Sequence, residues 1–168
     1  MGDPLNPETT LGPLARLDLK MTLEEQLSIS LEQGAKSRYS RQSPIPEQGY
    51  FFSPQVLTHL LDEMPVLREE TFGPIFAIIP FGNEDEAVYL ANNTDYGLGA
   101  SLWTEDQSRI HRLLPKLESG SVAVNQVLSS DPSRPFGGIK HSGFGRELGA
   151  EGLFSFVNLK TVYGVSAL

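Results

Sequence analysis

The stretch REETFGP at residues 68–74 runs directly into the apolar segment IFAIIPF at residues 75–81, and this junction decides the fold. Side chains of an extended segment alternate between two faces, so Glu69 and Glu70 are expected to point apart while Glu70 and Phe72 share a side. The glycine and proline that end the stretch allow a turn into a strand, which places the pair at the mouth of a sheet. A carboxylate accepts two hydrogen bonds from a vicinal diol, and an aromatic face can lie against a flat heteroaromatic ring. The junction therefore predicts a binding site for a ligand that carries both groups.

Downstream of this junction, strand patterns alternate with helical patterns. Strands are predicted at residues 75–81, 98–103 and 121–125, with helices at residues 84–92 and 105–117. Consecutive strands joined by single helices run parallel with right-handed crossovers. The pattern predicts an α/β fold with a three-layer open parallel sheet. Ligands of such sheets bind beyond the carboxyl ends of the strands, where the loop after the last strand emerges.

Capping signals mark the ends of these two helices. Asn83 with Glu86, and Thr104 with Gln107, have the spacing of helix N-terminal caps. Gly120 is predicted to end the second helix, because glycine readily adopts the left-handed conformation that follows a helix.

Upstream of the junction, residues 17–33 show a helical leucine pattern. Thr22 and Glu25 have capping-box spacing, and Gly34 is a C-terminal stop signal. The remaining upstream predictions are a strand at residues 35–40, an aromatic strand at residues 49–54, and a loop at residues 64–70 that leads into the junction.

A glycine-rich segment, PFGGIKHSGFGRE, follows the last predicted strand at residues 135–147. Its glycines allow the backbone to pass closely round a pocket, and Phe136 would supply an apolar wall. The rival interpretation is an anion-binding loop. The spacing disfavours that interpretation, because it matches neither a Walker loop nor a dinucleotide-binding fingerprint. His141 is expected at the surface, and Arg146 and Glu147 are expected to form structural hydrogen bonds.

The two motifs, in this order, resemble those of the NAD(P)-dependent aldehyde dehydrogenases, and the likeness extends over residues 2–162. The resemblance implies that Glu70 binds the ribose hydroxyls next to the nicotinamide of NAD or NADP and that Phe72 flanks the nicotinamide. It places Phe136 along the aldehyde channel and leaves open a part for Glu147 in a water relay. A solvated glutamate pair in a loop is the alternative for the first motif.

The segment LSSDPSRPFGG at residues 128–138 resembles the succinate-semialdehyde dehydrogenase group of that family. In that group a serine hydroxyl of this loop helps to hold the distal carboxylate of the substrate. Ser129, Ser130 and Arg134 are the candidates, since hydroxyl and guanidinium groups suit a carboxylate. A solvated turn rich in Ser, Asp and Pro is the alternative, and it is favoured for Arg134.

The chain contains no cysteine, and its three histidines, His59, His111 and His141, lack metal-ligand spacing, so no metal site is predicted. Aldehyde dehydrogenases attack the aldehyde with a cysteine thiolate. The resemblance implies that this nucleophile, the general-base glutamate and the dinucleotide-binding domain lie upstream of the chain. No catalytic residue is therefore predicted here. The chain is expected to be a truncated enzyme, the carboxyl-terminal third, and to be inactive alone.

Length and charge limit the partners. At 168 residues the chain can bury a core of its own, and its net charge of −8 would repel nucleic acid and anionic lipid. No apolar run approaches the roughly 20 residues that cross a bilayer, and no signal-peptide pattern is present, so a cytoplasmic location is expected. Neither nucleic acid nor a membrane is predicted as a partner.

The tail segment at residues 154–163, FSFVNLKTVY, is rich in β-forming residues. An unpaired apolar strand needs a cover. The resemblance implies that this strand joins another subunit, which predicts a homo-oligomer. The predicted organisation is therefore a partial catalytic domain at residues 1–150 and an oligomerisation segment at residues 151–168.

Two other classes of function stay open at this stage. The chain could be a non-catalytic module that joins an intact enzyme through its tail segment. It could also be a nucleotide-binding or carboxylate-binding protein that keeps Glu70 and Phe72. The choice between NAD and NADP stays open as well.

Overall fold

The computed structural model describes residues 1–39 and 44–164. The chain divides into two compact units, of which the first is Met1–Phe81 and the second begins at Gly82. Within the described residues, the strands form a three-stranded sheet and two two-stranded sheets. The predicted division of roles between residues 1–150 and 151–168 stays a prediction.

The part of the first unit that the structure describes forms two helices and one sheet. Its elements are α1 (Leu17–Glu32), β1 (Lys36–Ser37), β2 (Gln55–Thr58), α2 (Pro65–Arg68) and β3 (Ile75–Ala77). Strand β1 pairs antiparallel with β2, and β2 pairs parallel with β3. The core lies between the sheet and the helices and consists of Ala35, Leu57, Met64 and Val66. Burial of the three larger side chains, Leu57, Met64 and Val66, stabilises the unit by about 1.5–3 kcal/mol each.

The C-terminus of α1 confirms the predicted stop at Gly34, which has a φ of 108°. The N–H of Gly34 donates to the carbonyl of Leu31, and the N–H of Ala35 donates to the carbonyl of Ser30. These two bonds form a Schellman motif. The predicted cap at Thr22 and Glu25 is wrong, because the helix already begins at Leu17 and both residues lie inside it.

Several predicted elements of the first unit have different bounds. The aromatic segment at residues 49–54 is not a strand, because the carbonyl of Tyr50 accepts from the N–H of Leu14 in the N-terminal loop instead of joining a ladder. Strand β2 starts only after that segment. The strand predicted at residues 75–81 is limited to β3, and the predicted loop at residues 64–70 contains α2. Of the strand predicted at residues 35–40, only β1 forms, and residue 40 lies outside the described residues.

The described residues of the second unit form three α-helices and four short strands. Its elements are α3 (Glu84–Asn92), β4 (Tyr96–Gly97), β5 (Gly99–Leu102), α4 (Gln107–Leu113), β6 (Ser121–Val124), β7 (Ile139–Lys140) and α5 (Gly149–Leu153). Strand β4 pairs antiparallel with β7, whereas β5 pairs parallel with β6. Helix α3 has the predicted bounds, and the predicted cap is confirmed because the Asn83 side chain accepts from the N–H of Glu86.

The caps of α4 differ from the prediction. Asp106, not Thr104, is the N-cap, because its carboxylate accepts from the N–H groups of Ser108 and Arg109. The helical segment continues as a 3-10 turn at Leu114–Lys116 and ends where Leu117 becomes extended. Gly120 therefore does not end the helix.

The predicted single parallel sheet is not formed by the described residues. Parallel pairing is found between β2 and β3 and between β5 and β6, but β3 lies in a different sheet from β5. Two antiparallel pairs accompany them, β1 with β2 and β4 with β7. The observed fold is a mixed α/β arrangement.

The tail segment does not form the predicted strand. Phe154–Phe156 is a 3-10 turn, and residues 157–164 adopt neither helix nor strand. None of the strand pairings among the described residues includes them. None of the helices in the described ranges combines the length and the apolar character that a bilayer crossing requires.

Candidate functional site

In the first unit, the segment after α2 is attached to α1 through a buried side chain. Gln26 is only 4% exposed, and its Nε2 donates to Oε2 of Glu69 over 2.9 Å and to the backbone carbonyl of Glu70 over 3.4 Å. The Oε1 atom of Gln26 is buried and has no hydrogen-bond partner among the described residues. Glu69 is thus a structural residue that fixes the segment to the helix.

Gly73 brings the same segment against α1 a second time. A Cβ atom at this position would overlap Cδ2 of Leu23, which is fully buried in α1. The N–H of Gly73 also donates to the carbonyl of Thr71 over 2.8 Å, which makes a tight turn before β3. Close packing, not a left-handed φ, is therefore the reason for glycine here.

The two predicted cofactor-binding residues project from this fixed segment. The ring of Phe72 is 63% exposed, and Glu70 is also exposed. Within the described part of the chain, the Glu70 carboxylate has no hydrogen bond or ion pair. A carboxylate without a partner next to an exposed aromatic ring is suited to bind a diol joined to a flat heteroaromatic ring.

In the second unit, backbone contacts hold the glycine-rich segment. Phe136 and Glu147 exchange two backbone hydrogen bonds of 2.7 and 2.8 Å. A Cβ atom at Gly120 would overlap the carbonyl of Gly137, and a Cβ atom at Gly137 would lie 2.7 Å from the carbonyl of Gly145. These contacts leave room only for glycine and fix the backbone on both sides of Phe136.

Several charged and polar residues of this motif have structural partners. Lys140 Nζ donates to the carbonyls of Asn92 over 2.8 Å and Thr94 over 3.1 Å at the C-terminus of α3, and it forms a 2.7 Å ion pair with Glu118. A cation at a helix C-terminus also complements the helix dipole. The Ser142 hydroxyl accepts from the N–H of Gly97 over 3.0 Å.

The predictions for the other motif residues have different outcomes. Arg146 forms the expected structural hydrogen bonds, with the carbonyls of Gly138 over 3.0 Å and Gly145 over 2.6 Å. Glu147 is held through its backbone, while its side chain is exposed. His141 is exposed as predicted, and its ring contacts Tyr96 edge-on with a centroid distance of 6.1 Å.

The loop before this motif begins at Asn125, which has a φ of 54°. Its side chain accepts from the N–H of Thr104 over 2.8 Å and donates to the Thr104 carbonyl over 3.0 Å, as a paired strand residue would. A Cβ atom at Gly99 would overlap the side chain of Leu128. The loop is therefore fixed at two points before the candidate serines, to Gly99 of β5 and to Thr104 just after this strand.

A turn centred on Asp131 shapes the rest of the loop. The Asp131 carboxylate accepts from the hydroxyl of Ser133 over 2.7 Å and from its N–H over 2.9 Å, and these bonds, with Arg134 nearby, hold the pKa of Asp131 below its usual range. Arg134 forms a 3.3 Å ion pair with Asp131 and is 76% exposed. The favoured interpretation of Arg134 as part of a local turn agrees with this geometry.

Two cavities meet at Phe136. The first, about 440 Å³, is lined by Ser129, Asp131, Arg134 and Phe136. The second, about 570 Å³, is lined by Phe136, Arg146, Glu147 and a group of apolar side chains, Leu98, Phe144, Leu148, Leu153 and Phe156. Ser130 is exposed and does not line the first cavity. The first cavity thus places the Ser129 hydroxyl beside an aromatic wall, and its guanidinium group is already paired with the Asp131 carboxylate.

The sequence profile of the aldehyde dehydrogenase family matches residues 1–162. The chain belongs to the aldehyde dehydrogenase family. The NADP(+) succinate-semialdehyde dehydrogenase 1 of Mycobacterium ulcerans is 37% identical over 163 residues, which are 97% of this chain and 35% of that relative. The NAD(P)+ succinate semialdehyde dehydrogenase of Escherichia coli is 40% identical, with coverage of 97% and 35%.

A solved aldehyde dehydrogenase shares this conformation. The succinic semialdehyde dehydrogenase of Streptococcus pyogenes, in complex with NADP+, superposes with a TM-score of 0.89 at 38% identity and matches 96% of this chain and 35% of that one. The chain therefore spans about 35% of the length of the relatives that it matches.

Sequence reasoning missed several residues that shape these aldehyde dehydrogenase motifs. Gln26 and Leu128 carry no local signal, because their partners are distant in the sequence. Asp131 could have been found, since Asp followed two residues later by Ser is typical of an Asx turn. Among the described residues, no group of three or more histidine, aspartate or glutamate side chains could hold a metal ion.

Proposed function

We propose that this chain is the carboxyl-terminal part of an enzyme that oxidises an aldehyde to its carboxylic acid with NAD or NADP. The aldehyde is succinate semialdehyde or a similar small molecule. The observation that carries the proposal is the pair formed by Glu70 and Phe72, which are exposed on a segment that Gln26 and Gly73 fix to α1. The names of the relatives support the substrate and the cofactor.

Glu70 and Phe72 would position the cofactor. The carboxylate of Glu70 would accept hydrogen bonds from the two ribose hydroxyls next to the nicotinamide, and the ring of Phe72 would lie against the nicotinamide. The bound cofactor would accept the hydride that leaves the aldehyde carbon. Both side chains are free to bind because Glu69, their neighbour, makes the structural contact with α1.

Phe136, Ser129 and Ser130 would position the substrate. Phe136 provides the aromatic wall of the cavity, and Ser129 lines the same cavity. A serine hydroxyl donates a hydrogen bond to a carboxylate, so these serines would select an aldehyde with a distal carboxylate. Ser130 is exposed on the same loop and would contribute less than Ser129.

The nucleophile must come from residues outside this chain, because the chain has no cysteine. We therefore expect the isolated chain not to reduce NAD or NADP in the presence of succinate semialdehyde. Absorbance at the wavelength of the reduced cofactor measures this directly. Cofactor reduction above a buffer control would contradict the proposed division of roles.

A chimera tests the roles of the residues. In it, this chain replaces the matching third of the Streptococcus pyogenes relative, and oxidation of succinate semialdehyde is measured. Glu70→Gln is expected to raise the KM for NADP at least about tenfold, because a charge-assisted hydrogen bond is worth about 1.5–3 kcal/mol. Glu63→Gln, an exposed glutamate before α2, is the matched control.

The same chimera tests substrate selection. Ser129→Ala is expected to raise the KM for succinate semialdehyde about fivefold to tenfold and to leave that for butyraldehyde, which lacks the carboxylate, unchanged. Equal effects on both aldehydes would show that Ser129 does not bind the carboxylate. Ser119→Ala provides the control, because its hydroxyl donates within the chain to the carbonyl of Ser121.

A second candidate function is a module that joins other subunits, and the tail segment favours it. Phe156, Leu159 and Tyr163 are each at least 85% exposed. Such apolar side chains would be covered if the tail segment paired with a strand of another subunit, which gives a homo-oligomer. Analytical ultracentrifugation of the chain and of a Phe156→Ser, Leu159→Ser variant tests this, and identical monomer profiles would exclude it.

A further inference from the structure

The buried face of α1 has a polar side chain at its centre. Leu23, Gln26 and Ser30 are the buried residues of this helix, and their spacing of three and four places them on one face. The hydroxyl of Ser30 donates to the backbone carbonyl of Gln26 over 2.8 Å, so this hydroxyl is satisfied within the helix. Glutamine is mostly exposed in folded proteins, so the burial of the Gln26 side chain requires a reason of its own.

One half of the Gln26 amide destabilises the first unit. Its Oε1 atom is buried, and no atom in the part of the chain that the structure describes donates to it. A buried acceptor without a donor loses its hydrogen bonds to water and makes no others in their place. A methionine of similar length would fill the same space without this loss. Stability therefore does not explain why an amide is found here.

The other half of the amide reaches the segment that carries Glu70. An amide nitrogen has two hydrogens, and Nε2 of Gln26 donates to Oε2 of Glu69 over 2.9 Å and to the backbone carbonyl of Glu70 over 3.4 Å. The first acceptor belongs to the residue before the Cα atom of Glu70, and the second follows that atom. The two bonds therefore hold the chain on both sides of the point from which the Glu70 side chain leaves the backbone.

We propose that Gln26 is a positioning residue for the nicotinamide cofactor and acts through the Glu70 carboxylate. This inference rests on the proposed function of Glu70. Because its backbone is held on both sides, the exposed carboxylate of Glu70 meets the ribose hydroxyls with little loss of conformational freedom on binding. The unpaired Oε1 atom accompanies the donor nitrogen because an amide carries both, and functional sites often retain such a loss of stability.

The stability of the chain provides the first test. Gln26→Met keeps the length of the side chain and removes the amide. The urea midpoint of this variant is expected to equal that of the unsubstituted chain or to exceed it, because the unpaired acceptor is gone and water can bond to exposed Glu69. A clearly lower midpoint, or failure to fold, would show that the amide serves stability and would overturn the proposal.

Cofactor affinity provides the second test, in the chimera with the Streptococcus pyogenes relative. Gln26→Met is expected to raise the KM for NADP about fivefold and to leave the KM for succinate semialdehyde unchanged, because the change reaches only Glu70. Ser30→Ala is the matched control, since it removes a buried polar group from the same face of α1 that bonds only within the helix. An equal rise of the KM for NADP in both variants would contradict positioning by Gln26.

A double variant shows whether Gln26 acts through Glu70. In the Glu70→Gln chimera, Gln26→Met is expected to raise the KM for NADP by less than about twofold, since the carboxylate that Gln26 positions is absent. The same fold-change in both backgrounds would overturn the proposal. If Glu70→Gln alone left this KM unchanged, the proposed cofactor site itself would be wrong, and the role of Gln26 would be excluded with it. The two failures therefore give different results.

Discussion

The segment that carries Glu70 and the segment that carries Phe136 are held in place by different kinds of contact. The first is fixed by side chains, through the hydrogen bond between Gln26 and Glu69 and the packing of Leu23 against Gly73. The second is fixed by its backbone. There the carbonyl of Gly137 leaves no space for a Cβ atom at Gly120, and the carbonyl of Gly145 leaves none at Gly137. Backbone hydrogen bonds also join residues 136 and 147.

This difference teaches how structure and binding are divided along each motif. In the first segment, Glu69 makes the structural contact and Glu70 is exposed, so replacement of Glu70 is expected to leave the fold intact. In the second segment, the same backbone both closes the structure and shapes the two cavities. A replacement there is expected to change stability and binding together.

The largest effect is expected for Gly120→Ala in the second unit. The new methyl group would overlap the Gly137 carbonyl. Because the backbone cannot rotate away as a side chain can, we expect the free energy of unfolding to fall by about 3 kcal/mol. Urea unfolding followed by the fluorescence of Trp103, the single tryptophan, measures it. Gly82→Ala is the control, since its nearest neighbour is the movable Glu86 carboxylate at 3.3 Å. Equal stability of both variants would contradict fixation by backbone.

A smaller effect is expected for Gly73→Ala in the first unit. Here the obstacle is the end of the Leu23 side chain, so we expect a loss of about 2 kcal/mol, part of which Leu23→Ala recovers in the double variant. Urea unfolding followed by far-ultraviolet circular dichroism measures all three variants. Strictly additive losses would show that Gly73 and Leu23 are not in contact.

A still smaller loss of stability is expected when Glu69 or Glu70 is replaced. Glu69→Ala is expected to cost about 1 kcal/mol, because it removes the acceptor of buried Gln26. Glu70→Ala is expected to change stability by less than about 0.5 kcal/mol, since its side chain is exposed. Thermal unfolding of the two variants decides this. If Glu70→Ala lowered the stability more than Glu69→Ala, the structural role would belong to Glu70 and not to Glu69.

The smallest effect concerns the pKa of Asp131. The Ser133 hydroxyl lowers this pKa, so the stability that the carboxylate adds is present above its unfolded pKa of about 3.9 and is lost as the pH falls through the folded pKa. Ser133→Ala should therefore raise the titration midpoint of Asp131, measured by NMR. Ser130→Ala should leave it unchanged, and equal midpoints in all three proteins would contradict the turn.

Local sequence patterns predicted those parts of the fold that depend on near neighbours. Helix α3 was predicted residue for residue because Asn83 caps the N–H of Glu86, three residues away. The predicted N-cap of α4 was wrong because Thr104 and Asp106 are both suitable cap residues. The structure uses Asp106, while the backbone of Thr104 bonds to Asn125, which is 21 residues away. No local pattern reveals such a contact.

Strand pairing and motif roles were harder to predict for the same reason. An apolar period shows that residues 75–77 form a strand, but it does not show that their neighbour is β2 rather than β5. The partners of Lys140 lie near residues 92, 94 and 118, so its role as a helix cap became visible only in three dimensions. The candidate binding residues, in contrast, were recognisable because the motifs are continuous in sequence.

Deamidation of Asn125 would change the local structure, because the side chain of this residue is part of a backbone contact. Its amide both accepts from and donates to the backbone of Thr104. Deamidation to aspartate would replace the donating nitrogen with a second oxygen, which would face the Thr104 carbonyl and repel it. The loss of one ammonia molecule would thus open the end of the β5–β6 pair at the residue where the loop with Ser129 begins. Stored samples should be checked by mass spectrometry for this one-dalton change before substrate binding is compared.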